Sequence, residues 1–207
     1  MDIHDIHDIH NISTTCTRTE FVGTAVLDTI GLVISGVDDS LLQQMNVGTK
    51  YHCLGLFSSR TGAAGQITAI DDAVKATNTE VLSIELPRDT KGWGGHGNYI
   101  VLGGNDVSDV RHAISMALEL TNKNAGEVYI SESGHLEFAF SASAGPAIHK
   151  AFGTPLGEAF GFMAGSPAAI GLVMADNAVK SAAVSITKYM TPDIGTCLLY
   201  TSPSPRD

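Results

Sequence analysis

Apolar positions in this 207-residue chain fall into short β-rich blocks and longer stretches with helical spacing, and one order of blocks is written twice. In the first copy Ile67, Ile70 and Val74 recur at the spacing of a half-buried helix, and Val81-Leu82-Ser83-Ile84 follows as a strand. In the second copy Ile170, Val173, Met174 and Ala178 do the same ahead of Val184-Ser185-Ile186-Thr187. The words themselves match, since Asp72-Ala73-Val74-Lys75 returns as Asn177-Ala178-Val179-Lys180. One residue further out of phase upstream, Leu54-Gly55-Leu56-Phe57 lies over Phe160-Gly161-Phe162-Met163. A repeat of domain length implies duplication of a whole folding unit rather than a solenoid.

Each copy therefore reads as strand, turn, helix, strand. Ser166 followed by Pro167 marks the start of the second helix, a capping hydroxyl and then a ring that needs no amide partner. The first copy continues through Tyr99-Ile100-Val101-Leu102 to a helix capped by Asn105 or Asp106, with Val107, Val110, Ile114, Ala117 and Leu118 as its apolar positions. A strand-rich segment, Phe21 to Ile34, and a short helix near Leu41 precede it. The expected class is α+β, two like sandwiches with helices on one side of a mostly antiparallel sheet.

Composition narrows the setting. A hydrophobic share of 43% and 22 glycines suit small, tightly turned domains. No apolar run approaches the roughly 20 residues that span a bilayer, and Met1-Asp2-Ile3-His4 lacks a basic leader, so no membrane partner is expected. Cys16, Cys53 and Cys197 share no ligand spacing and read as reduced thiols of the cytosol. A formal charge of −10 argues against nucleic acid.

Both ends stand apart from the fold. Residues 1–18 carry the triplet Asp-Ile-His three times over and read as a low-complexity, disordered tail; its histidines could alternatively hold a divalent metal loosely. Residues 197–207 resemble a translated sequencing adapter and are set aside as an artefact. The first domain is then 19–124 and the second 125–196, the latter incomplete because positions equivalent to Asn98 through Leu120 are missing from it. The natural protein is expected to be longer by several tens of residues.

No catalytic constellation emerges. Gly92-Trp93-Gly94-Gly95-His96-Gly97 fits neither phosphate-loop nor dinucleotide-loop spacing. The adjacent pairs Asp71-Asp72 and Asp38-Asp39 point to different helix faces and make poor acid–base partners. His112, His135 and His149 lack ligand-spaced companions and read as surface or packing histidines, and no serine sits in a nucleophile elbow. No metal, no cofactor and no enzymatic activity are expected.

The run from Asp72 to Gly92, with Thr19-Glu20-Phe21-Val22-Gly23, Arg60-Thr61-Gly62-Ala63-Ala64, Leu102-Gly103-Gly104-Asn105-Asp106 and Pro167-Ala168-Ala169-Ile170-Gly171, resembles the tandem-domain bacterial microcompartment (BMC) shell proteins of the propanediol-utilisation branch. The likeness covers about Thr19 to Thr196. It implies two circularly permuted BMC domains of ferredoxin-like sandwich type and a homotrimer that imitates a hexagon. That tile packs among other shell proteins in the cytoplasm and is pierced by pores for small diols and aldehydes. Encapsulated enzymes are further expected partners, reached through the N-terminal tail. The resemblance makes Lys91, Gly92, Trp93, Gly94, Gly95 and His96 the axial pore loop, and Lys75 and Lys180 the edge contacts between tiles. The loop's glycines permit φ > 0 and bare their amides, although a plain Gly-rich hairpin would look the same. Trp93 stands where the family has a small residue, which narrows the aperture. The competing expectation is a soluble small-molecule-binding or sensory protein on the same duplicated α+β unit.

Overall fold

The computed structural model describes residues 19–86, 97–125, 127–131, 134–190 and 197–203. They form two five-stranded antiparallel sheets of the same strand order. The first unit contains β1 (Thr19–Ala25), β2 (Thr29–Ser35), β3 (Cys53–Ser59), β4 (Thr79–Glu85) and β5 (Asn98–Gly104), in the order β1-β2-β3-β5-β4. The second contains β6 (Glu127–Ser131), β7 (Gly134–Ser141), β8 (Phe160–Ser166), β9 (Val184–Met190) and β10 (Cys197–Pro203), in the order β6-β7-β8-β10-β9. Leu27 and Asp28, with φ of 62° and 54°, turn β1 into β2 in the left-handed conformation that matches the twist of a hairpin.

Among the described residues five helices flank the sheets: α1 (Asp39–Gln44), α2 (Ala64–Lys75), α3 (Val107–Asn124), α4 (Pro146–Phe152) and α5 (Ala168–Ser181). The helices α2 and α3 share one face of the first sheet, burying Ile67, Ile70, Val110 and Ile114 against Phe57, Ile100 and Leu102. Glycines let α3 approach closely. A Cβ on Gly31 would lie 2.6 Å from Ile114 Cγ2, and one on Gly104 2.7 Å from Val110 Cγ2. The helix α1 departs from the one-sided expectation, because Leu42 packs with Leu54 and Val101, whose side chains alternate with those of the α2 face. The first sheet is thus covered on both faces.

The second unit repeats this plan with three differences from expectation. Ser166 ends β8 and does not cap α5; the N-cap is Pro167, with no side-chain cap bond. The inward face of α5 is Gly171 and Ala175, whereas Ile170 and Val173 are exposed. The reason is close approach: a Cβ on Gly165 of β8 would stand 3.3 Å from the Gly171 amide, so small residues rather than large ones meet the sheet. Third, a counterpart of β5 is present, because Cys197–Pro203 pairs between β8 and β9. What lacks a counterpart among the described residues is α3. Phe140 occupies the place of Val33 under that helix and is 71% exposed where Val33 is 1%.

Candidate functional site: a seam between the two units

The units meet where α2 of the first packs on α4 and β7 of the second. The meeting is built on an exchange of helix caps. Every helix leaves its first amides without partners, and a carboxylate aimed at them is favoured by hydrogen bonding and by the helix dipole. Asp71, fully buried in the middle of α2, supplies this to α4: its Oδ2 accepts from Gly145 N–H at 2.7 Å, and its Oδ1 from Ala147 and Ile148 N–H at 2.9 and 3.1 Å. Glu137 on β7 returns the service, its Oε1 accepting from Ala63 and Ala64 N–H at the start of α2, at 2.8 and 2.7 Å. Neither helix has a cap from its own side chains. Each unit holds the end of a helix in the other.

Two cationic or ionisable groups complete the seam. Lys75, one turn beyond Asp71, places Nζ 2.7 Å from Asp71 Oδ2 and 3.3 Å from Asp72 Oδ1, and donates at 2.6 Å to the Ser143 carbonyl of the second unit. Burial works against its charge, but the hydrogen bond to Asp71 and the attraction of that carboxylate, then of Asp72, outweigh it and hold its pKa above the ordinary lysine value. His135 is buried beside Glu137, Nε2 to Oε2 3.4 Å, and neither ring nitrogen has a hydrogen-bond partner among the described residues.

The lysines expected at the tile edge come out differently. Lys75 is tied into the seam and keeps a third of its side chain exposed, whereas Lys180 pairs, among the described residues, with Asp176 at 2.6 Å, and both of those are open to solvent. Lys91, Gly92, Trp93, Gly94, Gly95 and His96 lie outside the described residues. The strand that follows them begins at Asn98, which is fixed by a buried polar cluster: Asn98 Nδ2 donates to Ser59 Oγ at 2.6 Å and to the Gly62 carbonyl at 3.3 Å, and Gln66 Nε2 to the Thr61 carbonyl at 3.0 Å. Sequence reasoning missed this cluster, and it missed Asp71 and Glu137 as caps. It had separated Asp71 from Asp72 by helix face, which the structure bears out, with Asp71 inward and Asp72 outward.

Among the described residues there is no cluster of three metal-ligating side chains, and no helix long and apolar enough to cross a membrane. Two like α/β units joined through a fixed seam define a pseudosymmetric structural element. Residues 53–133 match the family model for the BMC domain. The chain is 54% identical over 181 residues to the bacterial microcompartment shell protein PduB of Citrobacter freundii, covering 87% of this chain and 67% of that protein. Among solved structures, EtuB from Clostridium kluyveri is similar with a TM-score of 0.85 at 45% identity, covering 92% of this chain and 85% of that one. A trimeric bacterial microcompartment shell protein PduB is similar at 0.83 and 43%, covering 89% and 84%. The chain belongs to the bacterial microcompartment shell proteins, and its role is that of a structural component of a microcompartment shell.

Proposed function

We propose that the chain is one third of a flat, pseudohexameric tile, a homotrimer of two permuted BMC domains that packs edge to edge with other shell proteins and lets small polar metabolites through. The observation that carries this is the repeated strand order of the two sheets, together with a relative described as trimeric. Three chains then present six similar units, and a heterologous contact that closes at three yields a hexagon able to tile a plane. The role is architectural and not enzymatic, in keeping with the family. The reading as a soluble sensory protein draws no support from the relatives.

Finer assignments follow from the same reading. The domains are assigned to 19–124 and 125–196, a division supported at its inner boundary by α3 ending at Asn124 and β6 beginning at Glu127. The exposed aromatic face around Phe140 supports a continuation of the natural chain that supplies the missing helix. Residues 197–207 then stand in for native ones, since a strand's place between two neighbours is held by backbone hydrogen bonds that almost any sequence offers. The glycine loop containing Lys91, Gly92, Trp93, Gly94, Gly95 and His96 is assigned to the axial opening for diols and aldehydes, anchored by the Asn98 cluster. Lys180 and the open third of Lys75 are assigned to tile edges, and the N-terminal tail to encapsulated enzymes.

Electron microscopy of the protein expressed with sister shell proteins tests the tile: extended sheets or polyhedra support it, and a small oligomer that answers one ligand overturns it. The pore is tested by Trp93→Gly in assembled shells, with faster aldehyde leakage expected and unchanged leakage moving the route elsewhere.

A further inference from the structure

We propose that Glu137 of the second unit is a positioning residue for the start of β5 in the first, acting on Asn98 through the single peptide plane between Gly62 and Ala63. The inference rests on the reading of the segment ahead of Asn98 as the axial opening, and adds the residue in the other unit that fixes where that segment rejoins the sheet.

The relay is one peptide group long. Ala63 N–H donates to Glu137 Oε1 at 2.8 Å, and the carbonyl of the same peptide group, that of Gly62, accepts from Asn98 Nδ2 at 3.3 Å. The Gly62–Ala63 bond is trans, since the cis bond among the described residues is Ser166–Pro167. Its N–H and C=O therefore point in opposite directions from one rigid plane. Asn98 and Glu137 hold the two ends of a single body, and turning that body toward one partner takes it from the other. Hydrogen bonds in series through an amide also polarise it, so the carboxylate of Glu137 makes the Gly62 oxygen a stronger acceptor for Asn98.

Little slack exists on the Asn98 side. The Gly62 carbonyl can only accept, which obliges the Asn98 amide to present Nδ2 to it. The same Nδ2 donates to Ser59 Oγ at 2.6 Å, and Ser58 Oγ donates to the Asn98 carbonyl at 2.8 Å. Gly97 runs so near the end of β3 that a Cβ on it would lie 2.4 Å from the Ser59 carbonyl oxygen. The flanking peptides are gripped in the same way: the Thr61 carbonyl accepts from Gln66 Nε2 at 3.0 Å, and Ala64 N–H donates to Glu137 Oε1 at 2.7 Å. A displacement of residues 61–64 is thus passed on to Gly97 and Asn98 rather than absorbed between them.

A cap alone does not need this arrangement. The helix α1 is capped locally, Asp38 accepting from Ser40 N–H at 2.9 Å. The helix α2 has Ala63 at its N-cap and takes its acceptor from 74 residues away. That acceptor is a buried carboxylate, with Oε2 turned to His135 Nε2 at 3.4 Å, and a buried charge is a costly way to satisfy two amides. What Glu137 adds over a local serine or aspartate is dependence on the other unit: the start of β5 takes its place only when the two units are docked.

Hydrogen exchange of the full chain, followed by mass spectrometry on the peptide from Gly97 to Val101, tests the relay. Glu137→Leu is expected to speed exchange at Asn98, Tyr99 and Ile100 about tenfold, the protection that roughly one hydrogen bond confers. Glu137→Gln keeps an acceptor without the charge and is expected to fall between the parent and Glu137→Leu. Asp71→Asn weakens the same seam at α4, away from the relay, and is expected to leave exchange at these three residues as in the parent. Acceleration of equal size in Asp71→Asn, or none in Glu137→Leu, overturns the relay; should Glu137→Leu not fold, parent-like exchange in Glu137→Gln overturns it instead. In shells assembled with sister shell proteins, Glu137→Gln is expected to leak aldehyde faster. Faster exchange with unchanged leakage upholds the relay and overturns the axial-opening reading.

Discussion

Helices α2 and α5 share the pattern Asp-x-x-x-Lys and sit at the same place on equivalent sheets, yet one is a structural keystone and the other a surface. In α2 the aspartate is fully buried and holds three amides at the start of a neighbouring helix together with the lysine of its own; in α5 the same pair closes on itself in solvent. An identical local motif thus takes its energetic meaning from whether a second unit is opposite it. The largest test replaces each aspartate by asparagine. Asp71→Asn removes the buried charge between Lys75 and the start of α4, leaves that helix end half-satisfied, and is expected to cost about 3 kcal/mol in urea unfolding, the scale of a broken buried ion pair. Asp176→Asn is expected to cost no more than about 0.5 kcal/mol, as exposed pairs one turn apart do. Equal losses would erase the contrast.

The next test strikes the same seam from the other unit. Glu137→Leu removes the acceptor for Ala63 and Ala64 N–H and leaves His135 beside apolar surface, and about 2 kcal/mol of stability should go with it. Ile30→Leu, on β2 at the position that pairs with Ser58 as Glu137 of β7 pairs with Ala164, should be silent in the isolated chain. Glu137→Gln keeps an acceptor oxygen and should recover part of the loss. A Glu137→Leu protein that melts like the parent would mean that α2 does not depend on the second unit for its cap.

How much of this was legible beforehand is uneven, for physical reasons. The repeat, the helix around Ile67 and Ile70, and the strands ending near Ile84 and Leu102 follow from periodicity, which reports on local burial. The family was legible from the long run ending at Gly92. The seam was not. Asp71 finds the amides it caps more than 70 residues away, as does Glu137, and nothing local marks either as a cap. Periodicity even points the wrong way in β7. His135 and Glu137 alternate with Leu136 and Phe138, which suggests that the polar side faces water, but that side is buried by α2 and the aromatic side lies open. The inward face of α5 was misjudged for a related reason: its small residues meet the sheet at close approach and its large ones lie exposed.

Lysine titration separates the two helices more gently. The raised pKa of Lys75 means that the folded state binds its proton more tightly than the unfolded state does. Its contribution is therefore fully present below the ordinary value of 10.5 and is lost as pH rises through the folded-state value. Stability should be level through neutral pH with respect to this group and fall above about 10.5, and Lys75→Met should lower it at neutral pH and flatten the alkaline decline. An alkaline decline of the same steepness in Lys75→Met would assign the loss to other groups.

The smallest effect on folding is expected from Lys180, and it is the most telling about function. With Asp176 as its only described partner and most of its side chain in solvent, Lys180→Ala should change the urea midpoint by no more than an exposed pair is worth, about 0.5 kcal/mol or less. The trimer should persist as well, because one solvated charge already paired with Asp176 adds little to any contact between copies. What should disappear is the ordered sheet. Contacts between tiles are small and repeated, so a cation lost from each of three edges per trimer is multiplied across the lattice. Electron microscopy of Lys180→Ala trimers that still formed extended sheets would place Lys180 on an ordinary solvated surface, and the edge assignment would then rest on the open third of Lys75.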